Sequence, residues 1–89
     1  MLDSFVHDLE NGILHDMQVA LSLSCAGENH RMAAMHLKDA IHFHDLAASA
    51  FELGLFEEMK QHKKSAKLHQ FQAFEYSKIA ERIVSNLSI

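Results

Sequence analysis

The sequence has no proline and no tryptophan, a single cysteine, a single tyrosine and three glycines in 89 residues. Without proline, no stretch loses an amide donor or is forced out of helical geometry. With Gly12, Gly27 and Gly54 as the only glycines, few tight turns are available. The remainder is rich in Ala, Leu, Glu, Lys, Met and Gln, which favour helix at nearly every position. The lone Cys25 excludes an internal disulfide and points to a reducing, cytoplasmic compartment, where it is expected to act as a small apolar residue. Apolar runs fall far short of the ~20 residues that a membrane-spanning helix needs. The opening MLDSFVHDLE is acidic and lacks the basic start of a secretory leader. No membrane partner is therefore expected.

Catalytic signatures are missing as well. There is no glycine-rich phosphate loop, no nucleophile elbow, no His-Glu-x-x-His and no Glu-x-x-His pair of the di-iron bundles. Cys25 with a distant histidine is too generic to constitute a catalytic site. The expectation is a non-enzyme without a cofactor.

What the chain does contain is 48% hydrophobic and 22% charged residues, the balance of a globular protein. Its length allows one domain with a thin core. Charge is uneven: residues 1–58 hold ten acids and two bases, residues 59–89 two acids and six bases. An acidic front half packing on a basic final helix accounts for this. The stripe Lys60, Lys63, Lys64, Lys67, Phe71, Phe74 and Lys78 could follow a phosphate backbone. A net charge of −4 and the lack of a matching fold argue against nucleic acid.

The pattern predicts an all-α fold of three antiparallel helices, at about residues 4–25, 29–53 and 57–87. In the first, Ser4 is the expected N-cap, and Phe5, Leu9, Ile13, Met17, Ala20 and Ser24 recur at helical spacing. "AGENHR" reads as a turn, with Gly27 after a helix end and Asn29 capping the next. The middle helix is apolar on two faces. One carries His30, Ala33, Leu37, Ala40, Ile41, His44, Ala48 and Phe51; the other carries Met32, Met35, Phe43, Leu46, Ala50 and Leu53. Such a helix is expected to be sandwiched. "ELGLFEE" reads as the second turn, with Glu57 and Glu58 opening the last helix. Its seam, His62, Ala66, His69, Ala73, Tyr76, Ala80, Ile83 and Leu87, follows a heptad. Phe71 and Phe74 lie off that seam among lysines and are expected to be exposed and available to a partner. Ala20, Gly27 and Met32 match Ala47, Gly54 and Met59 at a spacing of 27, suggesting two similar joints.

From Phe43 to Lys67 the sequence resembles one tetratricopeptide repeat, an antiparallel helix pair. Phe43 stands at the first large apolar position, Leu46-Ala47 where the family has Leu-Gly, Gly54 at the turn glycine, Phe56 at the aromatic after it, Glu58 at the following acid and Ala66 at the small residue of the second helix. Ala50, Met59, Lys63 and Phe71 depart from the pattern. The resemblance implies a partner surface of Ile41, His44, Ala48, Phe51 and Glu52, with Leu46, Ala47 and Ala50 packed on the last helix. One unit normally needs neighbours to cover its apolar face, so a homodimer or larger assembly acting in protein–protein contact is expected.

Eight histidines are many for this length. His7, His15, His36 and His42 fall on polar or boundary faces and read as solvated, and His30 sits near a predicted helix start. His44, His62 and His69 lie on apolar seams. If the His44 face met the last helix, His44 would stand opposite His69 and the pair could bind a transition metal. The repeat-like packing turns His44 away, so the two arrangements exclude each other. The first is kept as the alternative, with no metal as the favoured expectation.

Overall fold

The computed structural model describes the backbone of residues 2–87 and the side chains of residues 12–87. It is a two-helix hairpin: α1 (Leu2–Glu52) and α2 (Phe56–Ser85). The molecule measures 80 × 14 × 14 Å. At 1.5 Å per residue, α1 is about 76 Å long and α2 about 45 Å, so α1 sets the long dimension and outruns α2.

The predicted three helices are thus two. "AGENHR" is not a turn, and α1 runs through it without a break. A glycine costs a helix only ~1 kcal/mol relative to alanine, too little to end one without proline or a left-handed residue. Gly54 alone has positive φ among the described residues. Asn29 does not cap a new helix; its amide donates to the Cys25 carbonyl one turn back, at 2.9 Å. Arg31 and Glu28 pair across the same turn at 2.6 Å. Gly27 and Gly54 therefore do not mark similar joints. Ser4 is not an N-cap, because α1 already begins at Leu2; the side chains of Phe5 and Leu9 lie outside the described ones.

The second turn is where the sequence places it. Gly54 takes φ 74°, its amide donates to Phe51 O (3.1 Å), and Leu55 N–H donates to Ala50 O (2.8 Å). This pair of bonds is a Schellman stop, with glycine at the left-handed position. Helix α2 then starts with Glu57 and Glu58 in its first turn, where carboxylates favour the positive helix end.

The two helices meet along a seam of alanine. Ala26, Ala33, Ala40 and Ala47 recur every seventh residue in α1, and Ala66, Ala73 and Ala80 do so in α2; with Ala50 they are the buried residues among those described. A seven-residue repeat keeps one line of each helix facing the other. Methyl side chains let the axes approach toward the lower end of the 8–10 Å range. Between the alanines stand larger half-buried residues: His36 and Phe43 on α1, and His62, His69, Tyr76 and Ile83 on α2. The α2 seam is the one read from the heptad. On α1 the face turned to α2 includes Leu46, Ala47 and Ala50, while Ile41, His44, Ala48 and Phe51 point outward.

The predicted sandwich does not form, because α1 is covered on one side only. Contacts between rings at His36 and Tyr76 and at Phe43 and His62 set an antiparallel register that brings Ser85 opposite residues about 20–27. Ala26 is buried there, whereas Ile13, Leu14, Met17 and Leu21, further toward the N-terminus, are exposed.

Candidate functional site

Two features stand out along the hairpin. The first is a column of rings on the inner seam. Tyr76 stacks on His36 (centroids 5.5 Å, planes 11° apart), His36 on His69 (5.2 Å, 28°), His69 on Phe43 (5.5 Å, 9°) and Phe43 on His62 (6.2 Å, 28°). The rings alternate between helices because the antiparallel heptads interleave these positions. The alanines above and below keep the helices close enough for the rings to overlap.

At the centre of the column, His36 Nδ1 and His69 Nδ1 are 2.9 Å apart. Asp39, one turn along α1 from His36, brings Oδ2 to 3.9 Å from His69 Nδ1. One ligand atom from each of the three lies within 4.8 Å of the others. His69 is the more enclosed, with 23% of its side chain exposed against 49% for Asp39. Two imidazoles and a carboxylate can share a proton or hold a metal ion.

The histidine that meets His69 is therefore His36, not His44. His44 is exposed on the outer face, so the His44–His69 pair weighed as the alternative metal site is not brought together. The register is close to that of a turn centred near Phe56, since Phe43 rather than His44 lies on His69; it is the face of α1 turned to α2 that differs, one residue being about 100° of helix rotation. From sequence alone His36 falls on a polar or boundary face, because the large apolar residues of α1 also trace the outer stripe. A signal was present: His36 and Asp39 are three residues apart, the spacing at which side chains share a helix face.

The second feature is the outer face of α1. His30, Ala34, Leu37, Ile41, His44, Ala48 and Phe51 alternate steps of four and three, a second heptad stripe. Leu37, Ile41 and Phe51 are each at least half exposed. His30, Ala33, Ala34 and Leu37 form one wall of an open groove, and Gln70, Ala73, Phe74 and Ser77 of α2 form the other. Phe74 stands on its rim with Lys78 Nζ 4.9 Å from its ring centroid. Phe71 is exposed as expected but borders a different cleft, with Gln72, Glu75, Tyr76 and Ile79. Glu52 is exposed at the end of the outer stripe, and Phe51 beside it meets Phe56 edge-on at 6.0 Å.

No protein-family model matches the sequence, and neither a curated protein nor a solved structure does. Among the described residues, no helix is long and apolar enough to cross a membrane.

Proposed function

We propose that the chain is a self-associating interaction module, a helical hairpin whose partner is a second copy. The observation that carries this reading is the imbalance of burial. Among the described residues nothing larger than alanine is buried, while seventeen large apolar residues are exposed. Apolar patches of that extent mark association surfaces. Two helices packed through methyl groups gain little from burial, so further cover is needed.

The outer stripe of α1 supports a helical partner, because its four–three spacing is the one that mates with another helix. Charge supports a second copy in particular. Helix α1 is acidic, whereas α2 exposes Lys63, Lys64 and Lys67. Two hairpins that set α2 of one against α1 of the other bring opposite charges together, which favours encounter and register. Ile41, His44, Ala48, Phe51 and Phe74 are the proposed contact residues, and the result is a four-helix assembly. The same outer residues are the partner surface implied by the tetratricopeptide resemblance.

Sedimentation equilibrium over a range of concentrations tests this. The expected result is a dimer or larger species that the double variant Leu37→Glu/Ile41→Glu converts to a helical monomer. A wild-type chain that stays monomeric at every concentration refutes it.

A further inference from the structure

The inner seam offers a site that does not depend on self-association. His36 Nδ1, His69 Nδ1 and Asp39 Oδ2 converge at one level of the hairpin, with separations of 2.9 Å and 3.9 Å along the chain of contacts. Two imidazole nitrogens this close cannot both present bare lone pairs: one carries a proton, or a cation lies between them. The nearby carboxylate adds negative charge to the same point.

We propose that His36, Asp39 and His69 bind a first-row divalent transition ion of the Zn²⁺ type, clamping α1 to α2. An ion with bonds of 2.0–2.1 Å holds two neighbouring nitrogens ~2.9–3.4 Å apart, and the observed spacing already falls there. With its ligand atom within 4.8 Å of the other two, Asp39 joins them by a shift of roughly 1–1.5 Å, within reach of a side-chain rotation. The donor set of two imidazoles and one carboxylate suits Zn²⁺, Ni²⁺ or Cu²⁺ and disfavours Mg²⁺ and Ca²⁺, which prefer oxygen alone. Both histidines are already oriented, since Tyr76 lies on His36 and Phe43 on His69. Partial exposure of Asp39 leaves a path for the ion and room for water at a fourth position, the pattern of an open zinc site.

The test is titration of the chelator-treated full chain with Zn²⁺ by calorimetry and with Co²⁺ by visible absorption. The expected result is one tightly bound ion per chain, a Co²⁺ d–d band and a raised Tm. His36→Asn and His69→Asn should each weaken binding by at least about a hundredfold, and Asp39→Asn by at least about tenfold, taking loss of an outer-shell partner as the lower bound. His15→Ala, at an exposed histidine far from the cluster, should leave Zn²⁺ affinity unchanged. Because the histidine variants also disturb stacking, helix content is followed in parallel; Asp39→Asn leaves the ring column intact and keeps the test decisive if either unfolds. No Co²⁺ band and no Tm shift in the wild type would mean that the pair holds only a proton. Binding that survives Asp39→Asn and the folded histidine variants would mean adventitious surface histidines. Either result overturns the proposal.

Discussion

The ring of Phe43 lies flat on the ring of His69, with centroids 5.5 Å apart and 9° between the planes. This contact joins the two halves of a five-ring column and stands where an ordinary helical pair would place leucine. Phe43 also faces His62 at 6.2 Å, so one side chain from α1 holds two from α2. Replacing Phe43 by alanine removes both contacts. A fully buried Phe→Ala change costs 3–5 kcal/mol; for this half-buried ring the expected loss is about 2 kcal/mol. Thermal melts followed by circular dichroism read it directly, and Phe43→Leu should recover part of the loss because area is restored without stacking.

The alanine positions predict the opposite kind of failure. Ala66 has no exposed surface and belongs to the line of methyl groups that sets the helix separation. Ala66→Leu adds three carbons where there is no space, and should destabilise by ~1–3 kcal/mol through overpacking. Ala48→Leu, on the outward stripe of α1, should leave the hairpin intact and tighten self-association. If both substitutions had the same effect on Tm at low concentration, the assignment of inner and outer faces would be wrong.

Much of this was legible in the sequence, but unevenly. The α2 seam was readable in full, because His62, Ala66, His69, Ala73, Tyr76, Ala80 and Ile83 form the only continuous heptad on that helix. Helix α1 carries two such stripes, and periodicity cannot say which one meets α2. Its inner stripe is mostly alanine, with His36, Asp39, Phe43 and Leu46 between, and looks less like a core than the outer one with Leu37, Ile41 and Phe51. For that reason His36 and Asp39 do not stand out as a site in the sequence. The expected break at Gly27 fails for a different reason. The residues around it carry every local sign of a turn, but a helix end also needs the chain to change direction, and only Gly54 provides that through its left-handed backbone.

Association should respond to salt. If copies pair through the acidic α1 and the lysines of α2, raising ionic strength screens that attraction, and the dissociation constant should rise. Lys63→Glu combined with Lys67→Glu should weaken the assembly at low salt and lose most of its effect at high salt. Sedimentation equilibrium at two salt concentrations measures both. An assembly whose dissociation constant did not change with salt would rest on apolar contact alone, and would remove the charge argument for its arrangement.

The two glycines separate the observed fold from the one expected at first. Gly27 lies inside α1, where an added Cβ would meet nothing closer than the Arg31 guanidinium at 3.9 Å. Gly27→Ala should therefore stabilise by about 0.5–1 kcal/mol, by restricting the unfolded chain and raising helix propensity. Gly54 has open space around it but sits at φ 74°, so alanine there forces an L residue into the left-handed region at a cost of ~1–2 kcal/mol. Gly54→Asn should cost less, since asparagine tolerates that conformation. Melting temperatures of the three variants give the answer. A turn at Gly27 predicts that its alanine variant loses stability as the Gly54 variant does; a continuous α1 predicts shifts of opposite sign.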